Sequence, residues 1–370
     1  MKILILNWRD LKNPRSGGAE VITEGLARRL VLAGPSNSAG RHEITLFCAA
    51  FQDSLPEEDV EGVKVVRAGT ELTCRWHAYK YYKAHKNDFD LVIDETNTIP
   101  FFTPLYVPRA KRLGFFHQLC RDVWWYEKKF PINLFGWLAE PLYLVLYRNT
   151  KCIAMSESTK QDLRKFGVKA EISVLPEAIE VKKPKFHNKE KTLTLCFVGR
   201  LVPSKRPIHA LMALREVLKS EPEAKIWFVG DGPEERRLRI LARKWKIEDR
   251  VVLWGKADQL KKFDLMQRAH FLVVPSVREG WGLVVSEAAA VGTPAVVYNV
   301  SGLRDSVNFG KLGYIADQEN PKALAKAINQ AWLDKNLSNV GKQAESFAET
   351  LTWDNATIKA SQLLTGYINV

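Results

Sequence analysis

Sulfur is scarce in this 370-residue chain, which holds five cysteines and four methionines. Cys48, Cys74, Cys120, Cys152 and Cys196 are odd in number and never spaced C-x-x-C. That argues against a disulfide framework or a cysteine zinc site and fits a reducing, cytoplasmic setting. No apolar run reaches the roughly 20 residues that a spanning helix needs. The opening MKILILNWRDLKNP lacks a basic leader and a small-residue cleavage site, and reads as a first β-strand. No G-x-G-x-x-G follows that strand, which disfavours a nicotinamide dehydrogenase. No helix-turn-helix, zinc-finger or RNP-like aromatic pattern is present either, so nucleic acid is not the expected partner.

What is present is ordinary globular composition, 46% hydrophobic and 26% charged, at a length that predicts two domains. The formal net charge of +13 calls for an anionic partner. Only +3 of it falls in residues 1–180.

Short β-rich runs alternate with amphipathic stretches along both halves. In the first half, strands are expected at Lys2–Leu6, Glu43–Cys48, Val63–Arg67, Leu91–Asp94, Arg112–Phe116, Cys152–Met155 and Glu171–Leu175. Helices fill Ala19–Ala33, Trp76–Lys86, Leu134–Leu146 and Ser158–Phe166. The polar stretch VKKPKFHNKEK has no period and reads as a linker. Alternation then restarts at Leu193–Val198 and runs to a helix over Pro321–Leu333. The expectation is α/β: two Rossmann-like domains facing each other across a cleft, over 1–181 and 192–352, joined by a linker at 182–191. Open sheets of this kind bind ligands at the carboxyl ends of their strands.

Three segments sit at such ends. Gly17 and Gly18 follow the first strand and open a helix, which suits either phosphate contact or a plain turn. Arg200 and Lys205 follow Leu193–Val198, and two cations there could neutralise a diphosphate; a solvated basic loop is the alternative. The third is Glu279-Gly280-Trp281-Gly282-Leu283-Val284-Val285-Ser286-Glu287. Its glycines permit close backbone approach, Leu283 and Val284 expose N–H groups at a helix start, and two carboxylates flank them. That set suits a ligand with both hydroxyls and phosphates.

With these motifs the chain resembles the family 4 (group 1) retaining glycosyltransferases of GT-B fold. The match takes in Gly17-Gly18, Gly199-Arg200 with Lys205, the Gly230-Asp231-Gly232-Pro233 turn, the E-x7-E spacing of Glu279 and Glu287, and PSVREGWGLVVSEAAAVGTPAVV. The resemblance implies a metal-independent enzyme, without cofactor, that uses a nucleotide-diphosphate sugar. Arg200 and Lys205 would hold the leaving diphosphate. Glu279 and the N–H groups of Gly280, Trp281, Gly282, Leu283 and Val284 would meet the sugar and phosphate, and Glu287 the ribose hydroxyls. Gly17 and Gly18 would cap the phosphates, and Gly255 with Lys256 would lie at the nucleobase. His117 stands where the family often places a histidine near the sugar, although a lone histidine can be structural. Arg121 and Asp122 are the acceptor candidates. Trp353–Ile368 would pack back on the first domain as a C-terminal helix spanning 353–370.

Asp88-Phe89-Asp90 is literally D-x-D, the metal motif of a different transferase fold, but it precedes a strand and reads as a turn. Lys261, Lys262, Arg236 and Arg237 read as a solvated face. The aromatic stretches Trp76–Lys86 and Trp124–Tyr147 suit peripheral association with an anionic membrane at the inner face of the plasma membrane. For the second stretch, a buried amphipathic helix is the alternative. The expected acceptor is a glycan, a lipid or another hydroxyl compound. A sugar-nucleotide epimerase of the same fold and a non-catalytic sugar-nucleotide-binding protein are the competing readings.

Overall fold

The structure is a computed structural model and describes residues 1–32, 42–182, 185 and 188–368. In chain order the elements are β1 (Lys2–Leu6), α1 (Gly18–Leu32), β2 (Glu43–Cys48), β3 (Glu57–Val60), β4 (Val63–Arg67), α2 (Cys74–Ala84), β5 (Leu91–Thr96), β6 (Arg112–Phe116), α3 (Val123–Glu127), α4 (Ile132–Leu146), β7 (Cys152–Ala154), α5 (Glu157–Lys165) and β8 (Ile172–Val174). There follow β9 (Thr194–Val198), α6 (Pro207–Val217), β10 (Lys225–Val229), α7 (Glu235–Lys244), β11 (Val251–Gly255), α8 (Gln259–Arg268), β12 (Phe271–Val274), α9 (Leu283–Ala289), β13 (Ala295–Tyr298), α10 (Leu303–Ser306), β14 (Gly313–Ala316), α11 (Pro321–Leu333), α12 (Leu337–Ala348) and α13 (Trp353–Ile368).

The chain forms two compact units. The first comprises residues 1–121, 135–178 and 353–370, and its sheet has the order β3-β4-β2-β1-β5-β6-β7-β8. All neighbours pair parallel except β3, which is antiparallel to β4. β1 is apolar after Lys2, and β2 is apolar from Ile44 to Cys48 except at Thr45, because a parallel sheet is covered on both faces. Leu4, Leu6, Phe47 and Val92 enter one core cluster of this unit, and Phe116, Leu144 and Tyr147 another. α13 packs against α1, with the Trp353 ring filling the space over Gly25, where a Cβ would lie 2.1 Å from the indole.

The second unit comprises residues 122–134 and 179–352, with an all-parallel sheet in the order β11-β10-β9-β12-β13-β14. Its core runs through Phe197, Phe228, Phe263, Phe271 and Tyr298. At the ends of β9 and β10 the backbones nearly touch: a Cβ on Gly230, at φ +133°, would lie 2.0 Å from the Gly199 carbonyl oxygen. Only glycine fits there.

One division of the chain differs from the sequence reading. Residues 122–134 belong to the second unit, not to an uninterrupted first domain. Part of the 182–191 linker, like Ala33 at the end of the expected first helix, lies outside the described residues. The linker's last residues are anchored: the Lys189 amino group donates to the Ala269 carbonyl at 2.8 Å and to Thr293 Oγ1 at 2.6 Å, and Arg268 pairs with Glu190 at 2.6 Å. Polarity there supplies specific hydrogen bonds and an ion pair to the second unit. β3, α3, α10, β14 and α12 are additions that the periodicity did not predict.

Candidate active site

In the second unit the strand order turns around β9, with β10 on one side and β12 on the other. Loops leaving two such strands diverge and open a crevice at their carboxyl ends. Both specific motifs leave these two strands. After β9 come Arg200 and Lys205, and after β12 comes the loop with Glu279 that opens α9 at Leu283.

Backbone bonds tie the β9, β10 and β11 loops together. Gly199 N donates to Val229 O at 2.9 Å, and Gly230 N donates to Gly255 O at 2.8 Å. The Arg200 guanidinium is exposed, with no hydrogen bond or ion pair to another described residue. Lys205 differs: its Nζ pairs with Glu279 Oε1, so its charge is already matched by a carboxylate. The Glu279 backbone is held in turn by its N–H donating to Ser301 O at 3.2 Å. Gly302, at φ +81°, lets the chain pass under it, since a Cβ there would lie 2.3 Å from the Glu279 carbonyl oxygen. The sequence reading missed this glycine because it lies 23 residues after Glu279, outside the motif it serves.

At the start of α9, Val285 N donates to Gly282 O at 2.8 Å, leaving Gly282, Leu283 and Val284 ahead of the first intrahelical bond. The Trp281 indole donates to Ser286 Oγ at 2.9 Å, which fixes the ring against the helix. Glu287 lies one turn further on, where Lys262 Nζ donates to its Oε1 at 2.8 Å. Burial pushes the Glu287 carboxyl above the usual carboxylate range, and the Lys262 charge opposes that. Its other oxygen, Oε2, is buried without a hydrogen-bond partner. Lys262 is therefore not part of a solvated face; its side chain and that of Glu287 are each about one-sixth exposed or less. The signal was available only as an apolar-facing position on α8, which charge alone disguised.

A second missed feature is α3. Ser204 Oγ donates to Glu127 Oε1, and Arg206 donates to the Tyr126 hydroxyl at 2.9 Å and to Glu319 at 2.9 Å. The 122–134 segment thus braces the loop that carries Arg200 and Lys205. Lys256 follows Gly255 as an exposed side chain, and Trp254 beside it meets Trp227 edge-on.

The first unit has its own switch point, at β1 between β2 and β5. Gly17 and Gly18 stand at the start of α1, but Gly17 N–H already donates to Glu20 Oε2 at 2.7 Å. Glu20 Oε1 accepts from Arg9 at 3.1 Å and from Asn97 at 3.3 Å. His117, after β6, is buried; its ring stacks on Phe115 and its Nε2 lies 3.5 Å from Glu95 Oε2. Glu95 Oε2 also accepts from Asn7 at 2.9 Å and Thr23 at 2.5 Å, and His117 Nε2 is buried without a hydrogen-bond partner.

Arg121 faces inward: its guanidinium lies over the Trp137 and Phe166 rings and donates to the Trp137 carbonyl at 3.0 Å. That carbonyl is four residues before Pro141, which has no N–H to give it. Arg121 thus repairs the gap a proline leaves inside α4. Asp122 precedes α3 as its N-cap residue and belongs to the second unit. In the D-x-D segment, Asp90 Oδ2 accepts the Lys2 backbone N–H at 2.8 Å, which ties the turn to β1.

Two Rossmann-like units with these switch-point loops define the GT-B class, and comparison with known proteins agrees. Residues 16–183 match the model described as Glycosyltransferase Family 4, and residues 178–348 match Glycosyl transferases group 1. The chain belongs to the family 4, group 1 glycosyltransferases. It is 35% identical over 178 residues to D-inositol 3-phosphate glycosyltransferase 2 of Catenulispora acidiphila, covering 45% of this chain and 41% of that protein. The chain spans less than half the length of the curated relatives it matches. Sucrose-phosphate synthase from Thermosynechococcus elongatus shares the fold with a TM-score of 0.77 at 19% identity, covering 99% of this chain and 98% of that one. Anabaena HepE in complex with UDP-glucose has a TM-score of 0.71 at 18% identity, covering 99% and 100%. No helix among the described residues is long and apolar enough to cross a membrane.

Proposed function

We propose that the second unit holds the donor of a retaining, metal-independent glycosyltransferase. The enzyme moves a hexose-type sugar from a nucleotide-diphosphate sugar to a glycan, lipid or other hydroxyl acceptor. The observation that carries this reading is the grouping of Arg200, Lys205, Glu279 and Glu287 on elements leaving the adjacent strands β9 and β12. The solved complex of Anabaena HepE with UDP-glucose supports the donor class.

In this reading, Arg200 and Lys205 neutralise the diphosphate as it departs, and Lys205 exchanges its Glu279 partner for phosphate oxygens. Fixed cations need no reorganisation as charge develops, which is where such sites gain most of their rate. Freed from Lys205, Glu279 accepts hydrogen bonds from sugar hydroxyls. The first-turn N–H groups of α9 face phosphate or sugar oxygen, and Glu287 Oε2 accepts from a ribose hydroxyl. Retention then follows from attack on the face the leaving group vacates, with catalysis coming from positioning and leaving-group stabilisation. Gly17, Gly18 and His117 of the first unit are assigned by the family pattern and tested separately by substitution. Peripheral association with an anionic membrane from the cytoplasmic side belongs to the same reading.

Incubation with uridine and guanosine diphosphate sugars, with and without hydroxyl acceptors and a chelator, tests it. Turnover should require an acceptor, preserve the anomeric configuration and survive the chelator. Conversion of donor alone would favour an epimerase, and loss restored by manganese would remove the metal-free mechanism.

A further inference from the structure

One face of α4 is built as the inside of a protein yet lies outside. Phe135, Leu138, Leu142, Val145 and Leu146 are between 37% and 75% exposed. At 100° per residue all five fall within about a third of the helix circumference. The opposite face carries Gly136, Glu140, Tyr143 and Leu144, all buried. The helix is therefore apolar on both sides, and one of the two is unpartnered. An ordinary surface helix would place charge there.

Along the helix and the turn after it, the exposed charges have one sign. From Phe135 to Lys151 the single carboxylate is Glu140, which is 1% exposed and accepts the N–H groups of Cys120 and Arg121. Arg148 follows the helix as an exposed side chain. Exposed Lys169 is tied beside it, its backbone N–H donating to Arg148 O at 2.8 Å. In sequence, Lys128 and Lys129 precede the helix.

We infer that this face of α4 seats on the surface of an anionic lipid bilayer, its apolar side chains entering at headgroup depth and its flanking cations meeting lipid phosphate. Apolar area with basic flanks is the combination that interfacial helices use. A second copy of the chain fits less well, because pairing two such helices in either direction sets cation against cation. The inference deepens the membrane part of the proposed function and rests on it in that respect. Its test needs no sugar transfer.

The experiment is co-sedimentation of the full chain with phosphatidylcholine vesicles, with and without phosphatidylglycerol, at low and high salt. The wild type should pellet with the anionic vesicles at low salt. Leu142→Glu should weaken that binding about tenfold or more, the factor expected from losing one buried leucine side chain. Arg148→Glu should erase the preference for anionic lipid. Both positions are exposed, so both variants should melt as the wild type does and still bind nucleoside diphosphate. A wild type that stays in the supernatant with both vesicle types, or a Leu142→Glu variant that pellets unchanged, would overturn the inference. So would a concentration-dependent dimer that Leu142→Glu disperses, which would put a second copy in the bilayer's place. Failure to bind nucleoside diphosphate, by contrast, would strike the donor reading and leave vesicle binding as its own result.

Discussion

Lys262 Nζ stands 2.8 Å from Glu287 Oε1, joining α8 to α9 by a largely buried ion pair whose second carboxylate oxygen has no partner. A buried acid tends to take up a proton, and here the neighbouring ammonium opposes that. An ionised Glu287 keeps Oε2 as an acceptor for a hydroxyl donor.

Lys262→Met should therefore weaken binding of nucleoside diphosphate by about tenfold, the loss of one charge-assisted contact. Because the Glu287 carboxyl is raised, binding should fall as pH drops through its titration, and in Lys262→Met that fall should begin at higher pH. Lys262→Arg should restore both. Calorimetric titration at two pH values, with a 2′,3′-dideoxy nucleotide as control, reads the effect. The dideoxy compound should show no difference between wild type and variant.

Arg200→Ala should lower kcat by roughly 10²–10³ while the melting temperature stays put, because its guanidinium is exposed and supports no described neighbour. Lys205→Ala should lower kcat similarly and in addition leave Glu279 without its cation. Steady-state kinetics with thermal melts separates the two effects. Near-normal turnover in either variant would contradict the leaving-group role.

Gly302→Ala combines a clash with the Glu279 carbonyl and a left-handed backbone, and should destabilise the second unit by about 1–3 kcal/mol. Donor affinity should fall with it, since the displaced backbone carries Glu279. Denaturant unfolding and nucleotide binding measured on the same preparation check both parts.

Acid sensitivity should trace in part to His270. Its Nδ1 accepts the Thr194 backbone N–H at 3.0 Å, and burial, followed by the Lys189 charge, pulls its pKa down to about 4. The unfolded chain therefore binds a proton that the folded one refuses, and stability is lost as pH falls from the ordinary histidine value of 6.5 toward 4. His270→Gln, which keeps an acceptor but does not titrate, should flatten that part of the melting-temperature profile.

The strand alternation was legible because a strand inside a covered sheet is mostly apolar over its own few residues: β2, β4, β6 and β10 have the bounds that their side-chain pattern suggested. The Glu279–Glu287 motif was legible for the same reason, being one loop and one turn of helix. The inward turn of Arg121 was not legible, because its partner is the Trp137 carbonyl freed by Pro141, sixteen to twenty residues away in sequence. α3 was invisible because five residues carry too little periodicity to stand out, and its contacts lie with a loop some eighty residues later.

By itself, then, the sequence determined two Rossmann-like units, the strand ends that carry Arg200, Lys205 and Glu279, and the family to which they point. Each of these rests on residues that are neighbours along the chain. Only the tertiary structure decided that Lys262 serves Glu287, that residues 122–134 join the second unit, and that α4 turns an apolar face outward. Partner choice and burial depend on which distant backbone arrives beside a side chain, and local patterning does not encode that.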